Sequence, residues 1–303
     1  NDALTEWTFK LRPGVEFHNG KTLTAEDVVY SLNLHRGPKT VSEAKALVES
    51  ITEIKATAPD EVRITLNAPN SGFPALMALI NMLIVPDGDT DFGKGIGTGG
   101  YVLESFEPGV RSLAKRFPNY WKEGRAHFDE VEVQAIADAN ARTTALQTGQ
   151  IDAMGAVDTA TAMLLGAMPG IKMLQTKGKQ HYAFSMNCKD PLFADNNVRM
   201  ALKLAMDRQE MLDKILSGYG SIANDQPISE AYPDFDAEIP QHAYDPDKAK
   251  ALLEKAGVSG LTVPLHVAEA PFTGATNMAQ LYAEQAARAR ITIDVKREPD
   301  DGY

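Results

Sequence analysis

The chain has 303 residues, 44% of them hydrophobic, with 41 acidic against 30 basic side chains and a formal charge of −11. That length allows one large domain or two with real cores, and the acidic balance argues against a nucleic-acid groove, which needs a basic face to neutralise phosphates. The single cysteine, Cys188, excludes an intrachain disulfide and a cysteine-based zinc site, and no stretch approaches the roughly 20 apolar residues of a membrane-spanning helix.

Trp7, Phe9 and Leu11 alternate with polar residues, which predicts a strand with one buried face, and Val15 and Phe17 continue the alternation. Asn19-Gly20 supplies a sharp turn that needs positive φ. Thr24-Ala25-Glu26-Asp27 reads as a capping box, ahead of a helix whose apolar stripe is Val28, Val29 and Leu32. Ile51, Ile54, Val62, Ile64 and Leu66 mark two strands of a hairpin that turns at Ala58-Pro59-Asp60-Glu61. The apolar run from Phe73 to Pro86, interrupted by Asn81, predicts a buried helix or strand pair. From Gly93 to Gly100 the sequence GKGIGTGG is the best candidate for a crossing between domains, since glycine tolerates unusual φ and ψ.

Strands are predicted at Tyr101 to Phe106, at Arg111 to Arg116 and through Val131, Val133 and Ala135. Asp138 caps a helix that closes at Gly149, followed by a strand from Ile151 to Met154. Gln180 to Asn187 alternates again, with Tyr182, Phe184 and Met186 on one side and His181, Ala183 and Ser185 on the other. After Asp195 comes one long helix with Val198, Ala201, Leu202, Ala205, Leu212, Ile215 and Leu216 on its apolar face, ended by Gly218. Asp245-Pro246 caps a helix carrying Ala249, Leu252 and Leu253 as far as Gly257. Leu261, Val263, Leu265 and Val267 form a strand that Pro264 marks as an edge. A helix through Met278 and Leu281 then leads to the strand Ile291, Ile293, Val295, completing a strand-helix-strand unit with an expected right-handed crossover. No internal repeat is seen. The sum is a mixed α/β chain with several separate sheets, antiparallel early and parallel late.

Trp7 to Arg36, reading WTFKLRPGVEFHNGKTLTAEDVVYSLNLHR, closely resembles the opening motif of the family 5 extracellular solute-binding proteins, the peptide- and nickel-type receptors of ABC importers. Further likenesses follow in family order. Gly97-Thr98-Gly99-Gly100-Tyr101 looks like GTGPY with Gly100 where Pro is usual, and Arg116-Phe117-Pro118-Asn119-Tyr120-Trp121 looks like RNPDYW with Phe117 for Asn. Leu146 to Asp152 resembles ALxSGEID. Pro191 to Asp195 with Val198 to Leu202 resembles PFxDxRVRxAL, with Asn197 where Arg is common, and Met206-Asp207-Arg208 resembles the IDR that follows. Tyr244 to Leu253 with Ala256-Gly257 matches YDPxKAKxLLxxAG.

The resemblance implies a type II periplasmic-binding-protein-like fold, two lobes closing on a ligand by a hinge, with an extra small domain and no covalent chemistry. It further implies a chain incomplete at both ends, with the main ligand anchors of peptide-binding members beyond Tyr303; Asn1, which is not an initiator Met, fits a processed or trimmed chain. Residues 1–96 are expected to form the small domain, 97–188 a segment of the first lobe and 189–303 part of the second. Gly97, Thr98, Gly99 and Gly100 are the expected hinge. The partners implied are a peptide or related small solute and the membrane permease of an ABC importer, with no nucleic acid and a monomeric state. The location implied is the periplasm, or a cell-surface lipoprotein in a Gram-positive host.

Bland readings compete at each site. Gly95 to Gly100 formally matches GxGxxG, but a dinucleotide loop needs a strand before it and a helix after, and here a strand follows. None of the six histidines makes an HExxH or a helical i, i+4 pair, so no metal or other cofactor is expected. No GxSxG elbow occurs and no triad is grouped in sequence, so no catalytic residue is assigned. His181, Ala183 and Ser185 share a face on which small residues leave room for a ligand, and the corresponding family strand borders the cleft; the plain alternative is an ordinary, partly exposed strand face. Ser42 is a further ligand-facing candidate. Asp195 and Arg199 read as an intrahelical or capping pair, Trp7 and Trp121 as core aromatics, and Cys188 as a free thiol, inert unless a basic group lies beside it. The rival classes are a hydrolytic enzyme with an unrecognised active site and a fragment or chaperone-like binder without a specific ligand.

Overall fold

The computed structural model describes residues 1–155, 157, 159–176, 178, 180–223, 225–232, 234–272 and 274–300. The closing Asp301-Gly302-Tyr303 of the sequence lies outside them. The chain divides into two compact units, Asn1–Ala137 and Asp138–Tyr303.

In the first unit, β1 (Glu6–Lys10), β2 (Ile51–Ala58) and β3 (Glu61–Leu66) form an antiparallel sheet in the order β1-β3-β2. Trp7 lies opposite Ile64 and Phe9 opposite Val62, so the alternating apolar residues share a face. Helix α1 (Ala25–Asn33) covers that face with Ala25 and Leu32, joined by Val48, Ile51 and Phe73 in one buried cluster. The Trp7 and Phe9 rings each stand 6.3 Å from Phe73, within the range of favourable tilted aromatic pairs. Val15 and Phe17 are buried as expected, although only a single Glu16–Thr22 bridge forms there, around Gly20 at φ 83°. The second sheet is the antiparallel meander β4 (Tyr101–Glu107), β5 (Arg111–Arg116) and β6 (Glu130–Gln134).

One expectation fails in this unit. The apolar run Phe73 to Pro86 yields only the short helix α2 (Phe73–Leu76), and although Phe73 and Met82 are buried, Ile80 is 83% exposed. Its apolar residues follow neither a helical nor a strand period, so one packed face cannot hold them all. The glycine run, expected as the crossing between domains and the hinge, has a definite local geometry. None of Gly97, Gly99 and Gly100 has a left-handed φ, and the segment lies well inside the first unit. It forms a strap gripped from two sides. His18 N–H donates to Gly97 O at 2.9 Å, His18 Nε2 lies 3.0 Å from Gly99 O, Trp121 Nε1 donates to Thr98 O at 3.1 Å, and Phe117 N–H to Gly100 O at 2.9 Å.

The second unit contains α3 (Ala139–Gln147), α4 (Thr159–Gly166), α5 (Asn196–Leu204), α6 (Arg208–Lys214), α7 (Pro246–Lys255), β7 (Leu261–Val267), α8 (Ala275–Ala287) and β8 (Ile291–Arg297). Strands β7 and β8 pair in parallel from Leu261–Ile291 to Val267–Arg297, as the strand-helix-strand reading expects. Val198, Ala201 and Leu202 of α5, Leu253 of α7, Tyr282 of α8 and Ile291 of β8 meet in its core. Aspartates start the helices: Asp138, Asp195, Asp207 and Asp245 each accept a first-turn amide, at 2.7, 2.7, 3.0 and 2.9 Å. Asp195 thus caps as expected, while Arg199 turns to the carbonyls of Phe193 and Ala194.

Three corrections arise here. The single long helix after Asp195 is two helices, because Asp207 caps α6 and Gln285 of α8 holds both the Asp207 amide (2.9 Å) and carbonyl (3.2 Å). Ile151 to Met154 is not a strand. Gln180 to Asn187 is not one either: among the described residues no strand pairs with it. Its alternation survives as burial, with Phe184 and Met186 packed on the core and His181, Ala183 and Ser185 exposed. Side-chain periodicity records which face is dry; a strand also needs a ladder partner.

Candidate functional site

At the carboxyl ends of β7 and β8 the chain opens into a crevice of about 330 Å³, lined by Val267, Glu269, Thr276, Asn277, Arg297 and Asp300 among others. Parallel strands joined by a helix put their carboxyl ends and the helix N-terminus at one edge, and ligands of open α/β sheets bind there. The N-terminus of α8 points its free amides into this edge, where they favour negative charge.

In this chain a side chain of its own meets those amides. Glu269 Oε2 accepts from Gly274 N–H at 2.6 Å, and Oε1 from Thr276 N–H at 2.9 Å. Burial pushes the Glu269 carboxyl up, but the Thr276 hydroxyl, the Gly274 and Thr276 amides and the Arg297 charge outweigh it and hold the group below its ordinary value. Asp300 Oδ1 in turn accepts from the amides of Glu269 (2.8 Å) and Ala270 (3.0 Å), which fixes the loop between β7 and α8. His266 Nδ1 lies 2.6 Å from Glu298 at the rim. The crevice therefore presents carboxylates with one nearby guanidinium. It is equipped to hold a polar solute by hydrogen bonds and charge. Among the described residues no group of three or more His, Cys, Asp or Glu side chains is arranged to hold a metal ion.

The segment carrying His181, Ala183 and Ser185 runs past the same end of the unit. Tyr182 stacks on Phe272 of the β7–α8 loop, with ring centroids 3.9 Å apart and planes 16° apart. Phe184 stacks on Tyr282 at 5.4 Å and packs on Val267, Ala275 and Ala279. Anchored through these aromatics, the opposite face with His181, Ala183 and Ser185 is left exposed. Ser42 belongs to the first unit. Its hydroxyl bonds His35 Nδ1 at 2.7 Å and accepts from Ala44 N–H at 3.2 Å, capping the 3-10 turn Glu43–Val48. Burial lowers the His35 pKa against a raising contact with the Asn81 backbone. Ser42 thus has a structural task that its sequence position does not reveal.

Sequence reasoning missed the crevice residues Glu269, Thr276, Asn277, Arg297 and Asp300. A signal was present: the recognised strand-helix-strand unit locates its own switch edge, and Glu269 lies just upstream of the helix that it caps.

The description "Bacterial extracellular solute-binding proteins, family 5 Middle" matches residues 1–303. Glutathione-binding protein GsiB of Escherichia coli O6:K15:H31 is 30% identical over 303 residues, covering 97% of this chain and 58% of that protein. Heme-binding protein A of Haemophilus influenzae is 27% identical over 285 residues, covering 85% of this chain and 52% of that protein. Among solved structures, the periplasmic binding protein AgaA of A. tumefaciens R10 in complex with agropinic acid superposes with a TM-score of 0.84 at 27% identity, covering 98% of this chain and 62% of that one. The ABC transporter-associated periplasmic binding protein DppA of Helicobacter pylori, in complex with the peptide STSA, gives a TM-score of 0.85 at 23% identity over 100% and 64% of the two chains. The fold is accordingly that of the type II periplasmic binding proteins, and the chain spans a little over half the length of the curated relatives it matches.

Proposed function

Because the chain belongs to the bacterial extracellular solute-binding proteins of family 5, we propose that it is part of the substrate-binding component of an ABC importer. It captures a peptide or a related small solute, carries out no covalent chemistry and delivers its ligand to a membrane permease. The whole protein works as a monomer in the periplasm, or as a cell-surface lipoprotein. The family match along all 303 residues carries this reading, and the crevice beyond β7 and β8 supports it with an edge built of hydrogen-bonding and charged groups.

Within the second unit, His181, Ala183 and Ser185 are the residues we assign to the ligand-facing surface, because aromatic anchors on the other side of their segment hold that face outward near the crevice. We also propose the division into a small domain (1–96), a segment of the first lobe (97–188) and part of the second lobe (189–303).

The test is native purification of the whole gene product, followed by mass spectrometry of small molecules released on denaturation. Calorimetry with the recovered compound follows, beside glutathione, a dipeptide, agropinic acid and nickel–histidine. Saturable one-to-one binding of one class, with the compound recovered unchanged, is expected. Turnover of that compound, or no saturable binding of any, refutes the proposal.

A further inference from the structure

The first unit holds a different concavity. Gly100, Tyr101, Tyr120, Lys122, Arg125 and Ala126 line an open pocket of about 450 Å³. Its wall is aromatic and its rim cationic. Tyr101 is fixed by the Phe128 amide, which donates to its hydroxyl at 3.1 Å. Tyr120 meets Trp121 edge-on at 5.7 Å. The Lys122 ammonium stands 4.7 Å from the centre of the Trp121 ring and the Arg12 guanidinium 4.9 Å from it.

The charge pattern is unusual for a chain at −11. Among the described residues, Lys122, Arg125 and Arg12 make no ion pair with a carboxylate. Glu16 is taken by Asn119 Nδ2 at 2.8 Å.

The pocket is also shaped by this chain's own sequence. A Cβ on Gly100 would lie 3.0 Å from Tyr120 Cε1 and 3.1 Å from Ala126 Cβ, so the bare backbone lets the tyrosine and the loop close together. That glycine stands where the resembling GTGPY element has proline. The loop curls back through Gly124 at φ 67° and Ala126 at φ 57°, and a left-handed alanine is a strained conformation that the surroundings must hold.

We propose that this pocket binds a small organic anion, with a flat apolar body against Tyr120 and a carboxylate or phosphate held by Lys122 and Arg125. A guanidinium fork and an ammonium match such an anion by charge-assisted hydrogen bonds, and a tyrosine face supplies apolar area at small entropic cost. The site is independent of the crevice at β7 and β8, and it stands whether or not the chain serves an importer.

The experiment is an NMR titration of the 303-residue chain, following the amides of Gly100, Tyr120, Lys122 and Ala126. Phenyl phosphate is the probe, with inorganic phosphate, benzoate and phenyltrimethylammonium in parallel. Saturable shifts confined to these amides are expected from phenyl phosphate and benzoate, weaker ones from inorganic phosphate and none from the cation. The double variant Lys122→Gln/Arg125→Gln removes two exposed side chains and should weaken phenyl phosphate binding by about tenfold or more. Unchanged peak dispersion elsewhere shows that the variant is folded. Linear, unsaturable shifts, an equal response to the cation, or full affinity in the double variant would overturn the proposal. Inorganic phosphate binding as tightly as phenyl phosphate would remove the aromatic part of it and so overturn it as stated.

Discussion

Replacing Asp27 tests how the first unit is clasped. Its side chain is 0% exposed yet lies among donors on every side. Oδ1 accepts from Lys21 Nζ and from Asp87 N–H at 2.7 Å, and Oδ2 from Thr24 N–H at 2.8 Å and Thr24 Oγ1 at 2.9 Å. One carboxylate thus joins the first turn of α1, the turn at Lys21 and the loop at Asp87. In Asp27→Ala the Lys21 head, whose side chain is 40% exposed, can turn to water. The amides of Asp87 and Thr24 are held within the fold and lose their acceptor. At about 1–3 kcal/mol for each stranded donor, the cost is ~3–5 kcal/mol, in line with breaking a buried pair. Asp27→Asn keeps one acceptor oxygen and should lose about half as much. Urea unfolding followed by tryptophan emission isolates the effect, because Trp7 and Trp121 both lie in the first unit. A loss below about 1 kcal/mol in Asp27→Ala, or equal losses in the two variants, would refute the clasp. The pH dependence has a definite sign. Burial pushes the Asp27 carboxyl up from 3.8, but Lys21, the Asp87 and Thr24 amides and the Thr24 hydroxyl together hold it lower. The unfolded chain therefore binds the proton first as acid is added. The stabilisation is full above the unfolded carboxyl value and is lost as pH falls through the lower folded one. The gap between wild type and Asp27→Asn should close below about pH 4.

Gly97→Ala and Gly99→Ala should each change stability by less than about 0.5 kcal/mol, since neither backbone is left-handed and nothing lies within 4 Å of an added Cβ. Gly95→Ala should cost about 1–3 kcal/mol, because Gly95 has φ 60° and its Cβ would meet Leu103 Cδ2 at 2.9 Å; equal effects at all three positions in the tryptophan-monitored transition would contradict this. Gln285 is 3% exposed and bonds Asp207 N–H (2.9 Å), Asp207 O (3.2 Å) and Glu210 Oε2 (2.9 Å). Gln285→Leu should destabilise the second unit by about 2–4 kcal/mol, and hydrogen exchange at the start of α6 should rise with it; retained protection there would show that α6 does not depend on α8. Cys188 is free and exposed, so one equivalent of a thiol reagent should react without denaturant, and a thiol that reacts only after unfolding would place it wrongly.

What the sequence determines here is local and periodic. Thr24 with Asp27, Asp138, Asp195 and Asp245-Pro246 announce helix starts because capping is settled within one turn of chain. The early hairpin and the late strand-helix-strand unit were legible because alternation and amphipathic spacing record which face each element buries. The long mixed motif at Trp7 to Arg36 identified the family, since its many residues rarely agree by chance. Tertiary structure decided what depends on partners far away in sequence. Whether Gln180 to Asn187 is a strand depends on a neighbour to pair with, which periodicity cannot supply. The break at Ala205 to Asp207 is held by Gln285, 78 positions along the chain from Asp207. The glycine run marks itself in sequence by its conformational freedom, while the close approach of Tyr120 and Ala126 to Gly100, which leaves no room for a side chain, appears only in the folded chain. The crevice at Glu269, Thr276 and Asp300 likewise exists only once β7 and β8 lie in parallel and bring their ends together. A sequence states each residue's chemistry and local preference; which residues converge on one volume is fixed by long-range packing.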